Sequence, residues 1–195
     1  MKTYQDVFFP FPTIQTDRLR LRRLEKSDRD DLFEYCRRGS SCRYSEWYPH
    51  VTRHETAEYL RWMLHRYRNG LGYTFGVEYE GKVIGTAGFS EVDNGFTSAE
   101  LGYGIVETEW GKGLGTELVL GMTKFAFDCM GLDRLQARVV TENKPSLSLL
   151  AKCGFVREGV LRRSFRKEGK VYDVAVFAML REDYEQFCRE GRKNK

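Results

Sequence analysis

The sequence predicts an α+β domain with a mixed, mainly antiparallel sheet, and three observations carry that expectation. β-rich runs meet at Glu80-Gly81 and again at Glu168-Gly169, two hairpin signatures. Leu114, Leu118, Met122, Phe125 and Cys129 recur at helical spacing, one continuous apolar stripe. No linker, internal repeat or low-complexity tract divides the 195 residues, so a single domain is expected, its core over about residues 14–185.

The elements follow in order. Residues 16–24 (TDRLRLRRL) alternate Leu with charge, a half-buried strand. Ser27 before Asp28, Asp30 and Asp31 reads as an N-cap with an acidic first turn, and Leu32, Phe33 and Cys36 supply that helix's inner face. Residues 40–51 look irregular. Thr52 and Glu55 form a capping box, and Leu60, Leu64 and Tyr67 continue the helix until Asn69-Gly70. Strands over 73–79, 82–89 and 98–106 come next, with Asn94-Gly95 as the second turn. The stripe helix starts at Gly113 and stops at Gly131, an αL cap. Leu135, Ala137 and Val139 alternate as a strand. Asn143 with Pro145 opens a helix that Gly154 closes, and residues 160–165 and 171–180 form the last hairpin.

Composition narrows the function. The formal net charge is +4, from 32 Lys and Arg against 28 Asp and Glu. That suits attraction of an anionic cofactor but is too small and too dispersed to imply direct nucleic-acid binding. Residues 189–195 read as a frayed, solvated end. The five cysteines, Cys36, Cys42, Cys129, Cys153 and Cys188, lack any C-x-x-C pair, so neither a disulfide framework nor a metal site is expected. With no signal segment and no apolar run of spanning length, the expected setting is cytoplasmic, without a membrane partner.

The most informative segment is VETEWGKGLGTE, residues 106–117, between a strand and the stripe helix. Gly111, Gly113 and Gly115 permit backbone geometry that a Cβ would block. The first-turn N–H groups lack intrahelical partners and sit at the positive end of the helix dipole, so the junction is a ready anion site. It is neither G-x-G-x-x-G nor G-x-x-x-x-G-K-[ST]. Taken alone, the glycines also fit a simple tight loop.

WGKGLGTE resembles the acetyl-CoA diphosphate loop of the GNAT superfamily, Q/R-x-x-G-x-G/A, with Gly113 and Gly115 at its small positions and Trp110 in place of Gln or Arg. Glu100-Leu101-Gly102-Tyr103 is similar to the E-[LI]-G-Y strand of the RimJ/RimL-like branch. The segment from Asn143 through Ser146 and Lys152 to Gly154-Phe155 is similar to its N-x-x-S…K-x-G-F stretch. The N-terminal TDRLRLRRL and the late EGVLR…YDV also match, and the motifs occur in the branch's order across most of the chain.

The resemblance implies a GNAT fold, with a mixed mainly antiparallel central sheet flanked by helices. It implies transfer of an acetyl group from acetyl-CoA to a primary amine, in a ternary complex. The cofactor would lie along the backbone of Gly104, Ile105 and Val106. Its phosphates would be held by Trp110, Gly111, Lys112, Gly113, Leu114, Gly115 and Thr116, with Asn143, Ser146 and Lys152 nearby. Glu100 is the expected base, or else a strand glutamate paired with an arginine. The tyrosine that many of these enzymes use as acid falls at Leu150, so Ser146, Tyr103 or water must replace it; Ser146 is equally readable as a cap. A covalent cysteine route fits poorly, since Cys153 lies at a helix C-terminus.

Trp47, Tyr48, Tyr103 and Tyr172 are the candidate acceptor contacts, each with a packing role as its alternative. The branch points to a ribosomal-protein N-terminus as acceptor. Small-molecule amines, a CoA-binding module with little catalysis, and a basic RNA-associated protein are the alternatives. A homodimer is a family-level expectation.

Overall fold

The computed structural model describes residues 3–93, 95 and 97–193, with side chains as far as Glu190. The alternation around Leu19 and Leu21 does form a strand, but not from residue 16. Strand β1 (Ile14–Gln15) and strand β2 (Leu19–Arg22) make a small hairpin about the turn at residues 16–18. That turn is held by a residue far along the chain. The Glu117 carboxylate accepts from the Thr16 hydroxyl at 2.6 Å, the Arg18 backbone N–H at 2.6 Å and Arg18 Nε at 2.7 Å.

A short leading helix, α1 (Tyr4–Phe8), packs Phe8 against Tyr73 and Phe125. Helix α2 (Arg29–Cys36) begins later than the sequence suggests. Ser27 lies within a 3₁₀ turn, Lys26–Asp28, and caps nothing. The buried Asp28 takes its place in the junction, accepting from the Glu25 backbone at 2.7 Å and from Arg22 Nη1 at 2.8 Å. A single helical turn, α3 (Gly39–Cys42), interrupts the expected irregular stretch. Helix α4 (Arg53–Arg68) is capped as its sequence predicts, Thr52 Oγ1 accepting from the Glu55 N–H.

Strands β3 (Thr74–Tyr79) and β4 (Lys82–Ser90) turn at Glu80-Gly81, both at positive φ. Strand β5 (Ser98–Ile105) follows; Asn94 of the expected turn lies outside the described residues. Between Val77 and Glu78 the β3–β4 register slips by one residue. The slip sends Val83 to the α4 cluster, while Ala87 and Phe89 face the main core.

Helix α5 (Leu114–Lys124) runs into a π turn, Phe125–Met130. The sequence places Cys129 on the inner stripe, but Cys129 is exposed and Met130 is buried. The wider turn adds a residue, shown by the Gly131 N–H bonding Ala126 five residues back, and so shifts the inner face by one position. Strand β6 (Arg134–Val140) and helix α6 (Lys144–Lys152) match expectation, the latter capped by Asn143. Strands β7 (Val156–Lys167) and β8 (Lys170–Leu180) form a longer hairpin than predicted. The expected frayed end is helical as far as Lys193 in α7 (Arg181–Lys193); Asn194 and Lys195 lie outside the described residues.

The eight strands run in the order β1-β2-β3-β4-β5-β6-β8-β7, and every pair is antiparallel except β5–β6. Helix α5 buries Leu114, Leu118 and Met122 against this sheet, while α2 and α4 cover the β3–β4 region through a second cluster around Leu32, Leu60 and Met63. Among the described residues no helix is long and apolar enough to cross a membrane.

Glu117 gives a direct test of how the N-terminal hairpin is attached. Burial pushes its carboxyl up, but the bonds from Thr16 and Arg18 outweigh this and hold it below the ordinary range. A lowered carboxyl contributes stability above its unfolded pKa and loses it as pH falls through the folded one. Glu117→Gln should therefore cost about 2 kcal/mol at pH 7. In denaturant titrations the gap from the parent protein should close below about pH 4.

Candidate active site

One break in the sheet creates the site. Strands β5 and β6 pair only at Ser98–Arg134, Ala99–Leu135 and Glu100–Gln136. Beyond that rung they diverge, while β5 stays paired with β4 to Ile105 and β6 stays paired with β8 to Val140. The gap opens into a cleft of about 1050 Å³, walled by residues 101–105 on one side and 137–140 on the other.

Antiparallel pairing fixes which main-chain groups face this gap. The Val106 N–H donates to Ile84 at 2.8 Å, so Val106 and, by alternation, Gly104 turn toward β4. Of the three backbone units that sequence points to, only Ile105 faces the gap, together with Tyr103 and Leu101. The Ile105 carbonyl is already taken, accepting from Trp110 Nε1 at 2.9 Å. Trp110 thus ties the start of the glycine loop to the strand end, with half its surface still exposed on the cleft.

The loop itself is built as an anion cradle. Gly111 (φ 77°) and Gly113 (φ 80°) occupy the left-handed region, and a Cβ on Gly111 would point into open space. Gly115 serves packing instead, because a Cβ there would come 2.8 Å from Leu149 of α6. Arg18 braces the loop from behind, Nη1 donating to the Lys112 carbonyl at 2.9 Å. Lys112 pairs with Glu109, and Leu114 is wholly buried in the core. The first turn of α5, with its free N–H groups and dipole, therefore ends at the cleft through Gly113, Gly115 and Thr116.

Polar chemistry lies on the two faces of the gap. On the α5–α6 side, Tyr103 Oη and Ser146 Oγ are 2.8 Å apart. Burial pushes the Tyr103 phenol up to about 12, against the Ser146 bond, so it keeps its proton at neutral pH. Asn143, lining the cleft, accepts from the Ser146 N–H as helix cap at 3.4 Å. On the other side, Glu100 Oε2 meets Arg138 Nε at 2.6 Å and Gln136 Nε2 at 3.3 Å. Burial still raises the Glu100 carboxyl above its usual value, in spite of the arginine.

The remaining expected residues are dispersed. Lys152 lies in the last turn of α6, away from the cleft walls. Trp47 packs its ring against Tyr35 and His50, 5.7 and 6.2 Å between centroids. Tyr48 is exposed, and Tyr172 stacks edge-on with Tyr44 above a smaller hollow of about 280 Å³. Cys153 is fully buried and its thiol is pushed up to about 11 by that burial, which removes it as a nucleophile.

Three residues were not singled out from sequence. Arg43 and Arg138 line the cleft. Lys167, only 6% exposed at the end of β7, donates to the carbonyls of Cys42, Ser45 and Trp47, the last two at 2.7 Å. It also lies 4.8 Å over the Tyr48 ring. A lysine in an arginine-rich hairpin carries no local sign of such a role, because its partners are more than a hundred residues earlier.

The family model described as "Acetyltransferase (GNAT) domain" matches residues 18–156. The chain is 32% identical to an uncharacterized N-acetyltransferase, p20, of Bacillus licheniformis, over 88% of this chain and 98% of that one. It is 31% identical to the [ribosomal protein uS5]-alanine N-acetyltransferase of Escherichia coli, over 60% of this chain and 62% of that protein. Its fold matches that of RimL, a ribosomal L7/L12 α-N-protein acetyltransferase solved with coenzyme A, with a TM-score of 0.75 at 19% identity, covering 87% of this chain and 98% of that one.

Lys167→Met should separate anchoring of the 42–47 segment from the rest of the site. It leaves three carbonyls without their donor, at a cost of about 3 kcal/mol in a denaturant titration. Calorimetric affinity for coenzyme A should stay within about twofold, since Lys167 itself does not line the cleft.

Proposed function

Since this chain belongs to the GNAT family of acetyltransferases and is an acetyl-CoA-dependent N-acetyltransferase, we propose that its acceptor is the α-amine of a polypeptide N-terminus. The observation that carries this reading is the pairing of Glu100 with Arg138. Glu100, one rung before the gap opens, lies half-buried behind Arg138, which already balances its charge, and Arg43 adds a second cation to the cleft. A polyamine asks for several carboxylates free of such partners. Of the carboxylates lining the cleft, Glu107 and Glu109 are paired with Arg38 and Lys112, and Glu142 accepts from the Thr141 hydroxyl at 3.1 Å, leaving a single carboxylate without a cation.

Amine chemistry agrees. An α-amine titrates near 7.7–8.0 and a lysine near 10.4, so a neutral lysine at pH 7 costs about 3 kcal/mol more. One carboxylate suffices for the former. The named relatives that acetylate ribosomal-protein termini support the same class of acceptor.

Acetyl-CoA supplies an activated acetyl thioester. The residues present fit it: a cradle open at Gly111, a helix N-terminus for the diphosphate, and a gap edged by backbone N–H groups. The N–H groups of Ile105 and Tyr103 are the donors available to charge developing on the thioester oxygen. Glu100 takes one proton from the bound ammonium and passes it to water, freeing the lone pair that attacks, and the second proton leaves the nitrogen for water as the N–C bond forms. As the C–S bond breaks, the hydrogen-bonded Ser146–Tyr103 pair gives a proton to the sulfur and regains one from water. With Cys153 buried, transfer is direct.

The test is mass detection of products from acetyl-CoA and a mixed panel of acceptors. The panel holds peptides with free Ser or Ala termini, polyamines, aminoglycosides and amino sugars. Acetylation of the peptide α-amine is expected, with kcat/KM reduced about 10²- to 10³-fold in Glu100→Gln. Acetylation confined to polyamines or sugars would remove the acceptor assignment.

A further inference from the structure

Arg138 stands between the cleft and the carboxylate assigned as base. Glu100 and Gln136 form the last paired rung, and the next positions on the same face are Gly102 and Arg138. A Cβ at Gly102 would meet nothing within 4 Å, so the space opposite Arg138 is open. Arg138 lines the cleft, yet its guanidinium folds back, Nε to Glu100 Oε2 at 2.6 Å and Nη2 to Glu91 Oε1 at 2.6 Å. The arginine side chain is 43% exposed and Glu100 only 14%. The exposed cation thus covers the buried carboxylate.

Glu91 adds a second, independent observation. It has φ 48°, a left-handed conformation that a non-glycine residue adopts at a cost of about 1 kcal/mol or more. Glu80 and Glu168 share that conformation, but each belongs to a Glu-Gly hairpin turn. Glu91 does not, and its carboxylate is spent on Arg138. The charged groups facing Glu100 are Arg138 from β6 and Glu91 from beyond the end of β4. Gln136 beside it is neutral, and from α2 the Tyr35 hydroxyl reaches Gly104 while the Asp31 carboxylate is spent on the Val83 N–H at 3.0 Å.

Resting on Glu100 as base, we propose that Arg138 is a positioning residue that occupies Glu100 until an acceptor arrives, then yields its place on Oε2 to the incoming ammonium while Glu91 keeps it tethered. The exchange is cation for cation, so the buried carboxylate is never left unpaired. With the guanidinium displaced, the ammonium's own charge is the one cation on Oε2, so passing its proton to Glu100 neutralises both partners at once. Arg138 also competes with every acceptor, which sets a floor on KM that weakly bound cations do not pass.

The test combines acceptor kinetics with ¹³C NMR titration of labelled glutamate carboxyls, Glu100 being assigned by its loss in E100Q. In R138Q the Glu100 titration should move up by about one pH unit, and in E91Q it should move down. KM for an alanine-terminated tripeptide should fall about threefold or more in R138Q, since the competing cation is gone. R138K should restore most of both values, and affinity for coenzyme A should not change. A raised KM in R138Q, or a Glu100 titration that does not move, overturns the proposal. If E100Q keeps the parental rate, the base assignment falls instead; an inactive E100Q beside an R138Q with unaltered KM sinks the exchange alone.

Discussion

The rungs missing between β5 and β6 are the constraint on which the site depends. A sheet interior with unpaired main-chain groups is costly unless those groups face water or a ligand. Here each lip of the gap is backed by a full ladder, β4 behind β5 and β8 behind β6. The strands cannot close on each other without breaking those ladders. The cleft is therefore a rigid feature of the sheet, and the helix N-terminus that faces it is aimed by the same core that buries Leu114 and Leu118.

Around that gap, polar side chains fasten irregular segments through distant partners. Glu117 holds the turn before β2, and Trp110 holds the loop to the end of β5. Lys167 gathers three carbonyls of the 42–47 segment, and the Asp173 carboxylate accepts the Arg163 N–H at 2.8 Å, where β7 bulges. These contacts share a logic. A charged or strongly polar group satisfies main-chain atoms that no ladder reaches, so segments without regular structure are still held in place.

The division of the cleft into two faces follows from the two-residue period of β5. Glu100, Gly102 and Gly104 point one way, toward Arg138, the opening and Tyr35. Leu101 and Tyr103 point the other way, toward the core and Ser146. Proton removal and proton return thus belong to opposite faces of one strand. Both groups are raised by burial, yet to different ends: the phenol is held protonated, and the carboxylate is drawn back toward its charged form by an arginine.

Periodicity and turn chemistry were enough to determine most elements, because they are local. The Leu114–Met122 stripe, the Thr52 cap, the Asn143-Pro145 helix start and the two Glu-Gly turns each depend on neighbours within a few residues. The order of the motifs was likewise enough to identify the family. What sequence could not determine is non-local. The inner face past Phe125 turned on a π turn, which moved Cys129 out and Met130 in. Ser27 lost its capping place to Asp28 because Arg22 draws that carboxylate inward. Arg138 beside Glu100, Tyr103 beside Ser146 and the carbonyls around Lys167 come from distant segments, and no spacing along the chain encodes them. Sequence by itself determined the elements and the kind of reaction. Only the tertiary structure decided which groups face the gap and which cation each carboxylate meets, since those follow from packing between segments far apart in the chain.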